Sequence, residues 1–154
     1  MKKRVIFVCS GNTCRSPMAE YLLKAALRRE RISGKFTVCS AGTMAIPGMP
    51  ASDLAVQAMQ NFNAKIVRHS SRKITQRLLN SAFAIFCMTD AHREFLLSIH
   101  KKIKGKCFLL KEFLNCSNKN VQDPFFGSIG DYERIRDDIN SAMDSILKFL
   151  KNDG

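Results

Sequence analysis

The sequence predicts an α/β fold, a parallel sheet with helices on both faces. Three observations point to it. Residues 5–8 and 82–88 are short, nearly continuous apolar runs, the form taken by strands covered on both sides. Between such runs lie stretches with apolar residues at three- and four-residue spacing, the signature of amphipathic helices. The two kinds of segment alternate along the chain, which builds parallel crossovers. In open sheets of this kind ligands bind beyond the carboxyl ends of the strands.

Residues 5–8 (Val-Ile-Phe-Val) form the first strand, and the short stretch from Cys9 to Arg15 follows. Ser16 suits an N-cap and Pro17 the first helical position, where no amide hydrogen is needed. A helix then runs to residue 31, with Met18, Tyr21, Leu22, Ala25 and Ala26 on one stripe, and stops at Ser33-Gly34. Residues 35–40 alternate as a second strand, with Phe36 and Val38 on one face. Ala41-Gly42-Thr43 turns out of it, and residues 44–50, with two prolines and a glycine, form a loop. Ser52 or a near neighbour caps a second helix carrying Leu54, Ala55, Ala58, Met59 and Phe62. Residues 66–72 are irregular and hold His69, and residues 75–80 form a short helix.

The run 82–88 is a central strand. Thr89 or Asp90 caps the next helix, through Phe95, Leu96 and Ile99, and residues 107–110 make a fourth strand. Residues 112–121 and 123–127 are loops. One last helix carries Tyr132, Ile135, Ile139, Met143, Ile146, Phe149 and Leu150. No repeat, linker or low-complexity tract divides the chain, so residues 1–154 read as one domain.

A chain of 154 residues, 45% hydrophobic, is long enough for a real core. No apolar run reaches membrane-spanning length. Lys2, Lys3 and Arg4 precede an apolar stretch too short for a secretion signal. The six cysteines, Cys9, Cys14, Cys39, Cys87, Cys107 and Cys116, show no Cys-x-x-Cys pair and no zinc-finger spacing, which favours free thiols and a cytoplasmic location. The net charge of +12 raises nucleic acid as a partner. The basic residues are scattered along the sequence, however, with no aromatic residues interleaved to stack bases. A solvated surface is therefore the better reading, and nucleic acid is not expected as a partner.

The chemistry centres on Cys9-Ser10-Gly11-Asn12-Thr13-Cys14-Arg15-Ser16. A loop this short, closing onto a helix start, aims its amide hydrogens at one point, and the helix terminus adds positive potential there. Arg15 offers a fork matched to two oxygens of a phosphate-like group. Cys9, at the strand end in that positive field, is favoured as thiolate, a nucleophile for phosphoryl transfer. Asn12 tolerates left-handed backbone angles. No Lys follows Gly11 as in nucleotide-binding loops. Asp123, stiffened by Pro124, is the candidate proton donor to the leaving group.

Cys-x5-Arg followed by Ser-Pro resembles the low-molecular-weight protein tyrosine phosphatase family. The likeness returns at Ser40-Ala41-Gly42, His69 and Asp123-Pro124-Phe125. It implies a four-stranded sheet of order 2-1-3-4, with a phosphate-binding loop after the first strand. It also implies hydrolysis of phosphorylated protein side chains through a phosphocysteine, releasing inorganic phosphate, with no metal or cofactor. Cys9, Arg15 and Asp123 would be catalytic. Ser10, Gly11, Asn12, Thr13, Cys14 and Ser16 would form the loop, and Asn12, Ser16, Ser40 and His69 a bracing network. Cys14 would form a reversible disulfide with Cys9. His92 and His100 have no such context and are expected at the surface.

Thr13, with Asp123-Pro124-Phe125-Phe126-Gly127-Ser128, resembles the bacterial protein-arginine phosphatase branch, whereas tyrosine-specific members carry a bulkier aliphatic residue at the position of Thr13. The loop after Ala41-Gly42 offers Met44, Ile46 and Met49 instead of an aromatic wall, although Phe125 can supply one. Phosphoarginine is thus the favoured substrate and phosphotyrosine the alternative. Arsenate reduction on this fold requires two further cysteines close together, and after Cys87 the next is Cys107. A non-enzymatic module would have no use for both Cys9 and Asp123.

Overall fold

The computed structural model describes residues 1–153. Strands β1 (Lys3–Cys9), β2 (Phe36–Gly42), β3 (Ala82–Cys87) and β4 (Cys107–Leu109) form one parallel sheet in the order β2-β1-β3-β4. Helix α1 (Arg15–Arg29) follows β1, α2 (Asp53–Met59) follows β2, and α3 (Gln76–Ser81) leads into β3. Then come α4 (Asp90–Ile99), a 3-10 turn (Lys101–Lys106), α5 (Ile129–Ser141) and α6 (Met143–Asp153).

The two-residue period of a strand divides the core between the two faces of the sheet. Val5, Phe7, Ala84 and Phe86 face α1, α2, α5 and α6, where Met18, Leu23, Met59 and Ile146 are buried against them. Ile6, Val8, Ile85 and Cys87 face the other way, onto Leu79, Leu96 and Ile103. Val5 to Val8 are fully buried because β1 has a neighbour on each side and helices above and below. The caps form as the side-chain chemistry dictates. Ser52, Thr75 and Thr89 accept from the amides of Ala55, Leu78 and His92, and Ser128 makes a reciprocal capping box with Asp131.

Phe62, expected on the second helix, lies past the end of α2 at Met59, and three further differences from the sequence reading have a clear physical cause. Helix α1 begins at Arg15 with Cys14 at its cap position, and Ser16 lies inside the first turn with its hydroxyl turned to Cys9. Strand β2 continues through Ala41 and Gly42, which pair with Val8 and Cys9 instead of turning. A side chain at Gly42 would put Cβ 2.3 Å from the Ser10 carbonyl oxygen, so the glycine serves close approach to the loop. The expected single last helix is two, α5 and α6. Ala142 N–H donates to the Ile139 carbonyl, and this three-residue turn breaks the four-residue ladder without any Gly or Pro to announce it.

Candidate active site

Strand β1 ends at Cys9 and α1 starts at Arg15, so the loop between them hangs over the carboxyl edge of the sheet. The loop is held from beneath by Asn12, which is fully buried and left-handed at φ 57°. Arg72 N–H donates to Asn12 Oδ1 at 2.9 Å, which fixes the orientation of the amide. Asn12 Nδ2 therefore donates to Ser16 Oγ (2.8 Å) and Ser40 Oγ (2.9 Å). With their lone pairs so used, the two hydroxyls send their protons onward. Ser40 donates to Glu20 Oε2 at 2.6 Å, and Ser16 lies 2.9 Å from Cys9 Sγ, aimed at the sulfur. His69 Nε2 donates to the Asn12 carbonyl at 2.6 Å. Asn12 N–H reaches Cys9 Sγ at 3.3 Å. Two donors thus converge on one sulfur.

Arg15 is 4% exposed. Its guanidinium donates to the Val121 carbonyl at 2.9 Å and lies 3.6 Å from Asp123 Oδ2. Asp123 stands at the rim with its side chain 52% exposed, its other oxygen accepting from Phe125 N–H at 3.0 Å. A cavity of about 300 Å³ opens between them. Cys9, Gly11, Thr13 and Arg15 line its base, and Met44, Asp123 and Phe125 its sides. A larger cleft, about 690 Å³, lies between α1 and the α5–α6 junction, but its lining, with Arg28, Arg29, Phe62, Met143 and Asp144, includes no cysteine.

Residues 4–154 match the family described as low molecular weight phosphotyrosine protein phosphatase. The chain belongs to that family. It is 40% identical to a protein-arginine-phosphatase from Bacillus subtilis, over 97% of each chain. It is 30% identical to the low molecular weight protein-tyrosine-phosphatase PtpB of Staphylococcus epidermidis, over 93% of this chain and 96% of that one. Among solved structures, the arginine phosphatase YwlE, in a mutant with a phosphorylated active-site serine, superposes with a TM-score of 0.90 at 38% identity, covering 97% of both chains.

Against this family background, the residues singled out in the sequence come together: Cys9, Arg15 and Asp123 face one cavity, and Asn12, Ser16, Ser40 and His69 form one connected network beneath it. Thr13 and Phe125 line the cavity, Phe125 being 64% exposed with its ring 4.2 Å from that of Phe126. Cys14 is a free thiol that also lines the cavity, its sulfur 3.2 Å from Ser52 Oγ and 3.4 Å from the Tyr132 hydroxyl. Burial, and then the Cys14 sulfur beside it, push the Tyr132 hydroxyl up to about 12.

His92 is not at the surface. It is 7% exposed, with Nε2 2.8 Å from Ser10 Oγ and Nδ1 3.0 Å from Thr89 Oγ1. Burial, and then the Arg15 charge, pull it down to about 4, so it is neutral around pH 7. The sequence held one signal for it: residue 92 falls in the first turn of the helix after a central strand, at the edge where ligands bind. His100, at the other end of α4, is half-exposed and bonds Asn80, as a surface residue does. Glu20 has no local signal, Ser52 reads in the sequence only as a cap, and Tyr132 only as an apolar helix position. Each acts through a contact of long sequence separation, which no local pattern reveals.

Proposed function

We propose that this chain is a cysteine-dependent protein phosphatase whose preferred substrate is phosphoarginine. The single observation that carries the reading is the Cys9 sulfur at the base of an open cavity, with Ser16 and Asn12 donors on it and Asp123 facing it across Arg15. Cys9 attacks phosphorus, an S–P bond forms, and the bond from phosphorus to the departing guanidinium nitrogen breaks. Asp123 gives its proton to that nitrogen. Water then attacks phosphorus, Asp123 takes the proton, and the S–P bond breaks to release inorganic phosphate and the Cys9 thiolate. The Ser16 hydroxyl stabilises that departing sulfur. Arg15 and the loop amides hold the phosphoryl oxygens throughout.

The lean to phosphoarginine rests on the cavity walls. Thr13 presents a small polar edge, Met44 a flexible wall, and Asp123 a half-exposed carboxyl able to hydrogen-bond a guanidinium nitrogen. Phe125 supports the second reading, phosphotyrosine, because an aromatic side wall suits a phenol ring. Rates on matched phosphoarginine and phosphotyrosine peptides decide between them. Faster hydrolysis of phosphoarginine is expected, with Thr13→Ile moving the ratio toward phosphotyrosine. An unchanged ratio in that variant removes the assigned role of Thr13. No helix among the described residues is long and apolar enough to cross a membrane. The cytoplasm, where thiols stay reduced, is the compartment that suits Cys9.

A further inference from the structure

The basic side chains that lie dispersed in the sequence converge in space. All strands of a parallel sheet start at one edge, and a helix returning from the opposite edge ends there too. Lys2, Lys3 and Arg4 sit where β1 starts, Lys35 just before β2, and Lys106 just before β4. Lys101, Lys102 and Lys104 are exposed on the 3-10 turn beside them, and Arg28, Arg29 and Arg31 are exposed at the end of α1. Cross-contacts tie this edge together. Arg4 donates to Ser81 Oγ at 2.6 Å and Lys106 to the Ala82 carbonyl at 2.7 Å, both where β3 starts. Lys2 and Arg28 line one cleft of about 410 Å³ with Ser33 and Thr37. The carboxylates near these cations are Glu30, which is bound to Lys151, Asp144, 3.8 Å from Arg29, and Asp153. Much of the +12 excess therefore sits at the edge opposite Cys9, roughly 20 Å away along β1. It is too far to serve the phosphoryl group in the catalytic cavity.

We propose that this basic edge binds the phosphate backbone of duplex nucleic acid without reading its sequence, leaving the Cys9 cavity open at the other end. Four strands about 4.8 Å apart spread the cations over roughly 14 Å, the run of about four base pairs. Arginine forks and lysine ammonium groups suit phosphate oxygens. Stacking of unpaired bases is not provided for: Phe83, the ring at this edge, is half-buried with Lys3 Nζ 4.6 Å above it. Bilayer anchoring needs apolar side chains beside the cations. Met1 and Ile99 are the exposed apolar side chains beside these cations, whereas the larger exposed group, Phe126, Val67, Met44, Ile46 and Phe125, lies elsewhere.

The test is fluorescence anisotropy of labelled DNA and RNA duplexes of about 20 base pairs, titrated with the full chain over a salt series. Binding is expected near 50 mM salt, with log affinity against log salt falling with a slope of roughly −4. Lys101→Glu/Lys102→Glu/Lys104→Glu should weaken binding by about tenfold or more and flatten the slope by about 3. The corresponding Gln triple, which removes charge without reversing it, should fall between. Hydrolysis of an aryl phosphate, followed in the same samples, should stay at the wild-type rate. Absence of duplex binding at 50 mM salt overturns the proposal, as does undiminished binding by both triples. Retention on phosphatidylserine vesicles with duplexes left unbound also overturns it, in favour of a membrane surface.

Discussion

Replacing His92 with Gln tests whether the structure reads that residue correctly. The imidazole is buried between Ser10 and Thr89, with Arg15 and Asp123 as the charges that act on it. Its proton is held only below about pH 4, against 6.5 for an unperturbed histidine. The folded state therefore disfavours the charged form, while the unfolded chain takes up the proton as pH falls through 6.5. The contribution of this group to stability is complete above that value, declines as pH falls toward 4, and is level below it. At about 1.36 kcal/mol per unit, the decline amounts to roughly 3 kcal/mol. Carboxylates titrate in the same range, so the wild type and His92→Gln are compared by denaturant unfolding at pH 7.5 and at about 4.5. The loss on acidification should be smaller in the variant by roughly 2 kcal/mol. Equal losses in the two proteins would refute the placement of a buried, neutral imidazole beneath the loop.

Gly42→Ala should lower kcat/KM by about tenfold or more in an aryl phosphate assay, because its Cβ would displace the Ser10 carbonyl and the loop with it; wild-type kinetics would show that the loop yields without cost. Asn12→Ala should cost about 2–4 kcal/mol of stability and most of the activity, since it removes hydrogen bonds to Ser16, Ser40 and Arg72 and leaves a left-handed position to alanine; a shift below 0.5 kcal/mol in unfolding would contradict the network. Peroxide should oxidise the Cys9 and Cys14 thiols to a disulfide, itself becoming water, and added thiol should restore activity. Tyr132→Phe/Ser52→Ala, which frees the Cys14 sulfur from both hydroxyls, should speed that protective closure. Equal recovery in Cys14→Ser would rule the disulfide out.

What the sequence made legible was local. A β-branched run, a five-residue gap between Cys9 and Arg15, and Asp123 before Pro124 are patterns of near neighbours, and each marks a strand, a cradle or a stiff loop by its own chemistry. The caps near Ser52 and at Thr89 were legible for the same reason, whereas Thr75, expected inside its helix, is itself the cap. Ser16 misled because serine before proline fits an N-cap, whereas the Cys9 sulfur claims its hydroxyl. Gly42 resembled a turn residue because nothing in the sequence shows that the Ser10 carbonyl lies against it. His92, Glu20 and Tyr132 stayed hidden because their partners are tens of residues away and only the folded sheet brings them together. The basic edge is the same lesson at larger scale. Charges at strand starts are far apart in the chain, and parallel topology lines them up.

The most direct measurement is a trapping experiment with Asp123→Asn and an aryl phosphate whose leaving group departs without a proton. With the second step slowed for want of a base, the variant quenched during turnover should carry one phosphoryl group on the peptide containing Cys9, by mass spectrometry. Release of phosphate with no adduct on Cys9, or an adduct on another residue, would contradict the phosphocysteine route.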